Sequence, residues 1–293
     1  MILRSMLFVP GHNDRLLNKV STLNIDAVIP DIEDSVTIKD KEVARKKIAK
    51  RVKNGDFKGK HVFPRINDRE SGFCLKDLYS LTIDGVDGFM YPKSDDKQDV
   101  HFIDKLLEAI ECEKGFEIGT FKLILLIETT AAVMNVMEIC SASDRVVAVA
   151  FGCEDFVADL GCVPSTKDGN VLYVPRARIA MAAKANGIIP IDTVHIDIHD
   201  LDDLEENLKL ATQLGFEGML LLHPKEIDLV HKYFTPSEKE LREAKDIIGL
   251  SKNSGKTGRG VDIVNGKFVG PPLVRGAEKI VNKAEEIEKW EKK

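Results

Sequence analysis

Cysteine is scarce in this sequence, and the cysteines that are present form no recognisable pattern. There are five, an odd number, and no C-x-x-C pair occurs among them. A disulfide framework or a zinc site made of thiolates is therefore excluded as the basis of the fold. Reduced thiols are typical of proteins in the cytoplasm, which is the location that we expect for this chain.

Long apolar runs and an excess of positive charge are also missing. No stretch approaches the ~18 consecutive apolar residues of a membrane span, and the first residues lack the basic start and apolar core of a signal peptide. The net charge is −6, and no basic stripe predicts a nucleic-acid surface. We expect no membrane and no nucleic acid as partner. A small acidic substrate remains compatible, because a local arginine or metal ion can outweigh a weak overall charge.

Several catalytic motifs are absent as well. The sequence has no Gly-x-Ser-x-Gly elbow and no H-E-x-x-H zinc motif. Ser254–Thr257 resembles the end of a phosphate loop, but Leu250 stands where that motif requires glycine. His195 and His199 lie in a segment without helical periodicity, which argues against a zinc ion shared between them.

What the sequence does contain is a repeated alternation of short apolar runs and amphipathic stretches. Apolar runs of this length are typical of parallel strands that are covered on both faces. The runs are Ser5–Val9, Ala27–Ile29, His61–Phe63, Val86–Tyr91, Leu123–Ile127, Val146–Phe151, Ile188–Val194 and Met219–Leu222. The amphipathic stretches, which predict helices, are Asp14–Leu23, Asp40–Lys53, Asp99–Glu113, Ala131–Cys140, Pro175–Ala185, Leu201–Leu214 and Lys225–Tyr233.

This alternation predicts an α/β protein with parallel strands and right-handed crossovers. Eight units over roughly 230 residues match a (β/α)8 TIM barrel in number and length. A doubly wound open sheet is the structural alternative. We assign residues 1–249 to the barrel and residues 250–293 to a C-terminal extension.

The extension has a different composition from the barrel. Ser251–Arg259 is rich in Lys, Gly and Ser and predicts a flexible loop. Val261–Val264 and Lys267–Val269 flank an Asn-Gly pair and predict a hairpin, and Leu273–Glu291 predicts a last helix. This segment is too short for a core of its own, so we expect it to pack on the barrel or on a neighbouring subunit.

The strands of a barrel end at one mouth, and catalytic groups are drawn from several strand ends. Acidic residues dominate the set found at these ends. A cluster of carboxylates in a partly buried mouth is costly unless a cation compensates it, and hard oxygen ligands suit Mg²⁺ or Mn²⁺. The set is Asp31, Glu33, Asp34, Arg65, Lys93, Glu128, Glu154, Asp155, Asp192 and His223.

Glu128 is the clearest candidate for a functional carboxylate, because it follows a fully apolar strand with no loop between them. A carboxylate there predicts either a metal ligand or an ion pair with Arg65 or Lys93. Of the adjacent pair Glu154 and Asp155, only one side chain is expected to face the mouth, while the other caps the next helix or holds a supporting hydrogen bond.

Two further positions predict substrate contacts. Arg65 can bind a carboxylate through two hydrogen bonds or stabilise an enolate oxygen, and its alternative role is that of a structural partner for Asp31 or Glu33. The first strand ends in Pro10 and Gly11, and glycine permits close approach of a phosphate to backbone N–H groups.

Several motifs follow one another in an order and spacing that resemble the citrate lyase β-subunit-like family, within the HpcH/HpaI aldolase, citrate lyase and malyl-CoA lyase superfamily. They extend over nearly the whole chain, and their ordered succession is specific although each alone is weak. They are Arg4–Gly11, Asp31–Ser35, Arg65–Asn67, Pro92-Lys93, Ile127–Thr129, Gly152–Phe156, Leu214–Gly218, His223–Ile227 and Asn265–Lys267.

The resemblance implies a Mg²⁺-dependent carbon–carbon lyase that acts on a β-hydroxyacyl thioester and assembles as a homo-oligomer, a trimer or a hexamer. By position, Glu128 and Asp155 resemble the metal ligands and Arg65 the substrate-binding arginine. Glu33 and Asp34 resemble residues that support this centre. The positions that resemble contacts to coenzyme A or substrate are Pro10, Gly11, Arg15, Glu154, Leu222 and His223.

One departure from the family pattern affects the expected chemistry. Many thioester-active relatives have an aspartate, associated with proton transfer, where this chain has Gly270. Because of Gly270, a barrel that binds an acyl-CoA or oxo acid without turnover stays open as an alternative. Two further alternatives are a citryl-acyl-carrier-protein lyase subunit, which works with an acyl carrier protein, and an aldolase on free 2-oxo acids.

Overall fold

The apolar runs form the strands of one parallel sheet. The computed structural model describes residues 1–162, 171–254, 262–264 and 267–292. The sheet has the strand order β3-β2-β1-β8-β7-β6-β5-β4. Its strands are β1 (Ser5–Pro10), β2 (Ala27–Asp31), β3 (His61–Val62), β4 (Gly88–Tyr91), β5 (Lys122–Ile127), β6 (Val146–Phe151), β7 (Ile189–Asp192) and β8 (Gly218–Leu221).

Backbone hydrogen bonds between β4 and the residues that follow β3 close this sheet into a barrel. The N–H of Met90 donates to the carbonyl of Pro64 at 3.0 Å, and the N–H of Ile66 donates to the carbonyl of Met90 at 3.2 Å. The prediction of a (β/α)8 barrel is confirmed. The alternative of an open, doubly wound sheet is wrong, because both edges of the sheet are joined.

Alternate residues of each strand fill the barrel interior, as the two-residue period of a strand requires. From β5, Ile124 and Leu126 point inward, and from β6, Ala148 and Ala150 do so. Phe63, which follows β3, belongs to the same buried cluster. This apolar core fixes which residue beyond each strand end points into the mouth.

The helices largely follow the predicted amphipathic stretches. They are α1 (Asp14–Ser21), α2 (Lys41–Asn54), α3 (Cys74–Leu81), α4 (Lys97–Lys114), α5 (Thr130–Cys140), α6 (Cys153–Leu160), α7 (Tyr173–Ala185), α8 (Leu201–Leu214), α9 (Ile227–Phe234), α10 (Glu238–Ser254) and α11 (Pro271–Glu291). Helices α3, α6 and α10 were not predicted. None of the helices in the described part of the chain is long and apolar enough to cross a membrane.

Local signals in the sequence explain where individual helices begin. Helix α4 starts two residues before the predicted Asp99, because Asp96 caps it and accepts hydrogen bonds from the N–H groups of Gln98 and Asp99. The side chain of Asp99 accepts in return from the N–H of Asp96, which completes a capping box. The cap therefore sets the start of the helix, which the apolar periodicity alone placed too late.

The chain divides into two compact units, Leu3–Val230 and a second made of Met1–Ile2 with His231–Lys293. In the second unit α10 contacts α11, and strands β9 (Asp262–Val264) and β10 (Lys267–Val269) pair antiparallel. The predicted hairpin and last helix are therefore present, while the Asn-Gly turn at residues 265–266 lies outside the described residues. The prediction of a flexible loop from Ser251 is wrong for its first four residues, which belong to α10; residues 255–259 lie outside the described part.

Candidate functional site

A cavity of about 730 Å³ opens at the carboxyl ends of the barrel strands. Its volume lies in the range of pockets that enclose small ligands. Most of the residues predicted to form a site from the sequence meet in its wall. They are Pro10, Asp31, Asp34, Arg65, Glu128, Glu154, Asp155, Leu222 and His223.

Arg65 is held in one orientation by two carboxylates and an aromatic ring. Its Nε and Nη2 donate to Asp31 at 2.7 and 2.8 Å, which is a bidentate pair. Its Nη1 lies 2.8 Å from Oε2 of Glu33, and the guanidinium carbon lies 4.9 Å from the centre of the Phe8 ring. The structural role that the sequence left open for Arg65, as a partner of Asp31 or Glu33, is therefore observed. Arg65 still lines the cavity, and these contacts hold its guanidinium group in one orientation.

The two buried carboxyl groups that contact Arg65, those of Asp31 and Glu33, have pKa values shifted in opposite directions. Burial alone would raise the pKa of Asp31, but its hydrogen bonds to Arg65 and the charge of that residue lower the pKa below its ordinary value. Burial raises the pKa of Glu33 to about 7, and the charge of Asp34 acts in the same direction, against the opposing charge of Arg65. Asp31 is thus a permanent counter-charge of Arg65, whereas Glu33 sits near the point of protonation.

Glu128 is buried at the end of β5 and faces the mouth, since it continues the inward series of Ile124 and Leu126. Its Oε1 accepts the backbone N–H of Lys93 at 2.7 Å. The described residues provide no side-chain ion pair for it, so the predicted pair with Arg65 or Lys93 is not formed. Burial raises the pKa of Glu128 to about 8, and the charges of Glu33 and Asp155 add to this effect.

The backbone around Glu128 is shaped to accommodate its side chain. Lys93 has φ of 50°, a left-handed conformation that costs a non-glycine residue roughly 1–2 kcal/mol. This conformation accompanies the hydrogen bond from its N–H to Glu128. On the other side, a Cβ at Gly152 would lie 2.7 Å from the Cβ and 2.9 Å from Oε2 of Glu128. Only glycine at position 152 leaves room for the carboxylate.

Glu154 and Asp155 lie in the first turn of α6, where negative charge is favourable next to the free N–H groups of the helix. Both are exposed and both line the cavity. Oε1 of Glu154 is 3.6 Å from the sulfur of Cys153. The charge of Asp155 contributes to the raised pKa of Glu128, which places Asp155 electrostatically close to it.

These groups fit a divalent cation of the Mg²⁺ type. Glu128 is a buried carboxylate with no compensating cation in the described residues, and a metal ion would supply the missing charge. Mg²⁺ is commonly bound by one or two carboxylates, with water and substrate completing the coordination. Among the described residues no group of three or more His, Cys, Asp or Glu side chains is placed to hold a metal. The described residues are therefore consistent with two protein ligands for the cation, Glu128 and Asp155, and not with a complete coordination shell made of protein side chains.

Some predicted site residues lie outside the cavity wall. Arg15 is exposed on α1. Gly11 is buried, and its N–H donates to the carbonyl of Asp31 at 2.8 Å, so that this donor is occupied. Asp192 was wrongly placed at the mouth: it points outward from β7 and is held by Arg176 of α7, with Nε at 3.1 Å. Glu33 and Lys93 do not line the cavity, and Oε1 of Glu33 lies 3.6 Å from Nζ of Lys93.

Helix α1 and the segment after it contribute a part of the cavity wall that the sequence reasoning missed. Leu16, Lys19, Val20 and Leu23 line the cavity on this side. Leu16, Val20 and Leu23 recur at intervals of four and three residues, which is the spacing of one helix face, and Lys19 is adjacent to Val20. The sequence reasoning named only Arg15 of this helix as a contact, whereas Lys19 lies in the cavity wall.

The segment after β8 forms another part of the rim. Leu222, His223 and Pro224 line the cavity, and Nδ1 of His223 accepts the N–H of Lys225 at 3.2 Å. Partial burial lowers the pKa of His223, and the positive charges of Lys225 and Lys19 lower it further. His223 is thus biased toward its neutral form, and the two lysines give the rim a positive potential.

Comparison with known proteins identifies a matching family and several similar proteins. Residues 4–224 match the family described as HpcH/HpaI aldolase/citrate lyase. A citrate lyase subunit beta from Haemophilus influenzae is 34% identical over 281 residues, which cover 96% of each chain. An L-malyl-CoA/beta-methylmalyl-CoA lyase from Rhodobacter capsulatus is 31% identical over 301 residues, with 96% of this chain and 94% of the relative covered.

A solved structure shares the architecture across the whole chain. The protein CitE from Mycobacterium tuberculosis, in complex with magnesium, acetoacetate and coenzyme A, superimposes with a TM-score of 0.78 at 27% identity, covering 97% of this chain and 98% of its own. The family resemblance found in the ordered motifs is confirmed, and so is the assignment to the lyases. The chain belongs to the HpcH/HpaI aldolase/citrate lyase family.

Proposed function

We propose that this chain is a Mg²⁺-dependent carbon–carbon lyase that cleaves a β-hydroxyacyl thioester of the citryl-, citramalyl- or malyl-CoA type. The observation that carries the proposal is the buried Glu128 carboxylate, which has no ion-pair partner among the described residues and stands in one cavity with Asp155 and the oriented Arg65. Family members that are similar to this chain are named as lyases of malyl-CoA and as citrate lyase subunits. The chemistry of the cavity and the names of its relatives therefore agree.

The cavity has two chemically different parts. Charged side chains from the ends of the strands line one part, among them Arg65, Glu128 and Asp155. Apolar side chains of Leu16, Val20, Leu23, Val194, Ile196, Leu222 and Pro224 line the other. The polar part suits a hydroxy acid with its carboxylate, and the apolar part suits the carrier arm of a thioester.

The residues of the polar part have separate tasks in this proposal. Glu128 and Asp155 would hold Mg²⁺, which supplies Lewis-acid polarisation of the substrate oxygens when bound. Arg65 keeps its charge throughout, because Asp31 anchors it, and its remaining N–H groups are available for an oxygen that becomes negative. Glu33, with a pKa of about 7, can exchange a proton near this arginine.

Cleavage of such a thioester is balanced without any further reactant. The substrate hydroxyl loses its proton and becomes a carbonyl, the adjacent C–C bond breaks, and its electron pair passes into the thioester enolate. Arg65 is oriented to stabilise the enolate oxygen. The enolate carbon then takes up a proton, and Gly270, which stands where many relatives have an aspartate, cannot donate it. The proton donor of this chain therefore differs from that of those relatives.

The carrier, the assembly and the location are finer parts of the proposal. The positive potential from Lys19 and Lys225 supports coenzyme A, whose phosphates are anionic, over a neutral carrier. The citrate lyase subunits among the relatives support the alternative of a citryl group on an acyl carrier protein. By the same resemblance we propose a homo-oligomer, a trimer or a hexamer, in the cytoplasm.

The decisive experiment is an assay of the purified chain with citramalyl-CoA, malyl-CoA and citryl-CoA in the presence of Mg²⁺. We expect release of an oxo acid and an acyl-CoA from at least one of them, and loss of this activity with EDTA. Activity only with citryl-acyl carrier protein would favour the lyase subunit. Condensation of pyruvate with an aldehyde would favour the aldolase. Tight binding of acyl-CoA with no turnover of any thioester would overturn the proposal and favour a binding protein.

A further inference from the structure

Glu226 lies directly behind the cavity wall and is not part of the chemistry described above. It ends the short 3-10 turn Pro224–Glu226, and its side chain is fully buried. Its Oε2 accepts the backbone N–H groups of Leu222 at 3.1 Å and His223 at 3.2 Å. Both of these residues line the cavity, so a single carboxylate oxygen fixes the backbone of the rim.

The burial of this carboxylate is unusual for a residue that closes a capping box. Glutamates in that role normally stand at the protein surface, where water solvates the second oxygen. Here Oε1 of Glu226 is buried and has no hydrogen-bond partner in the described part of the chain. An incompletely paired buried carboxylate costs free energy, and such a cost is typical of positions that hold a functional segment in place.

A histidine from the neighbouring strand end completes the arrangement. His195, which follows β7, is buried, and its Nε2 lies 3.0 Å from Oδ2 of Asp203 on α8. Its Nδ1, like Oε1 of Glu226, is buried without a hydrogen-bond partner among the described residues. Burial raises the pKa of Glu226, while its two backbone hydrogen bonds and the charge of His195 lower it. The charge of His195 therefore acts on the Glu226 carboxylate, although no hydrogen bond joins the two side chains among the described residues.

We propose that Glu226 is a positioning residue, which holds the backbone of Leu222 and His223 in place as the wall of the carrier-arm part of the cavity. The identity of the ligand in that part rests on the proposed function, whereas the fixing of the backbone does not. Glu226 does not line the cavity, and among the described residues no hydrogen bond joins it to Glu128 or Asp155. Its loss should weaken binding of the carrier arm and leave binding at the polar part unchanged.

The test compares two substitutions that occupy nearly the same space. Glu226→Met removes the hydrogen-bond acceptor, and Glu226→Gln keeps one oxygen that can accept both N–H groups. Amide hydrogen exchange of the peptide containing Leu222 and His223 should become at least about tenfold faster in Glu226→Met. Its Kd for free coenzyme A, measured by calorimetry with Mg²⁺ present, should rise about tenfold. The Kd for pyruvate should change less than about twofold.

Glu226→Gln should return both quantities to within about threefold of the wild type. A matched control is Glu111→Gln, because Glu111 is also fully buried and also accepts two backbone N–H groups, but at the opposite end of the barrel. This control should lose stability without a change in either Kd. Wild-type exchange and wild-type coenzyme A binding in Glu226→Met would overturn the proposal, and so would a Glu226→Gln protein that behaves like Glu226→Met.

The exchange measurement separates this proposal from the proposed function. A wild-type protein that neither binds coenzyme A nor cleaves a thioester would contradict the proposed function. Faster exchange in Glu226→Met would, even then, establish that the carboxylate fixes the rim, and unchanged exchange would refute it.

Discussion

Two buried glutamates at opposite ends of the barrel, Glu111 and Glu128, differ in how they are paired. At the amino ends of the strands, Glu111 pairs with Arg145. At the carboxyl ends a buried pair also exists, between Asp31 and Arg65, but Glu128 accepts only a backbone N–H among the described residues. The charge of Glu111 is neutralised, whereas burial raises the pKa of Glu128 to about 8.

Glu111 shows how complete the pairing at the amino ends is. It accepts two N–H groups of Arg145 at 2.7 and 2.6 Å and the backbone N–H groups of Gly119 and Phe121, each at 2.9 Å. Burial alone would raise its pKa, but the hydrogen bonds from Arg145 and from the backbone lower it below the ordinary value. This carboxylate ties α4 to the starts of β5 and β6.

This difference separates stability from function within one fold. Removing one partner of a buried ion pair leaves the other charge unpaired in a region of low dielectric constant, which lowers the stability of the protein. We therefore expect the paired residues at the amino ends to contribute mainly to stability. An unpaired buried carboxylate opposes folding, and in the proposed function a metal ion bound at the mouth would offset this cost. The general placement of barrel active sites at the carboxyl ends of the strands agrees with this division.

The largest effect should come from Glu128→Gln. The amide keeps an acceptor for the N–H of Lys93 but removes the negative charge that a cation needs. We expect lyase activity to fall at least ~10³-fold, which corresponds to ~4 kcal/mol of transition-state stabilisation. Calorimetry should show no binding of Mg²⁺ in the low-millimolar range. Steady-state kinetics with the best thioester substrate would measure the loss.

The thermal stability of Glu128→Gln distinguishes a functional role of Glu128 from a structural one. The melting temperature of the metal-free variant should equal or exceed that of the metal-free wild type, because a neutral amide avoids the cost of burying a carboxyl group whose pKa is raised to about 8. A large loss of stability would show that Glu128 is structural, and the contrast between the two ends of the barrel would then break down.

Glu111→Gln should have the converse effect. The variant removes the partner of Arg145, which keeps only its pair with Asp104, so we expect a loss of about 3 kcal/mol in the free energy of unfolding. Urea unfolding monitored by circular dichroism would measure it. The kcat and KM of the folded variant should stay within about twofold of the wild type. A selective loss of kcat would mean that the amino ends of the strands also serve catalysis.

The pH dependence of this loss should follow from the lowered pKa of Glu111. A carboxylate with a folded-state pKa below its unfolded value stabilises the protein above the unfolded value, about 4.3 for glutamate, and this stabilisation disappears as the pH falls through the folded value. The difference in unfolding free energy between wild type and Glu111→Gln should therefore be constant near pH 7 and shrink below about pH 4. Urea titrations at several pH values would test this, and a difference independent of pH would contradict it.

The sequence predicted the centre of the site because Glu128 and Arg65 follow directly after buried strands. It misplaced Asp192 because adjacency to a strand is not sufficient. Leu126 points inward, so that Glu128, two residues later, does so as well. Ile191 also points inward, and Asp192, one residue later, must therefore face the helices. Counting the two-residue period beyond each strand end would have separated these cases.

The parts that could not be predicted depend on distances between segments far apart in the chain. Lys19 lines the cavity because α1 lies beside the segment that follows β8, and no local pattern reports that proximity. The role of Glu226 depends on burial behind that same segment, although its spacing from His223 is an ordinary capping signal. The raised pKa of Glu128 depends in part on the positions of both Glu33 and Asp155, which the sequence does not give. Packing of whole elements determines all three features.

The smallest expected effect concerns the charge at the rim of the cavity. Lys19→Ala removes a positive charge next to the carrier-arm part, and we expect the Kd for coenzyme A to rise about threefold at low ionic strength. At 0.5 M salt the difference should be less than about 1.5-fold, because counter-ions screen an exposed lysine. Lys105→Ala, which removes an exposed lysine from α4 outside the cavity wall, is the matched control and should change neither value. An effect of Lys19→Ala that persists at high salt would show that this lysine forms a desolvated contact, and the carrier-arm part would then be less apolar than its lining indicates.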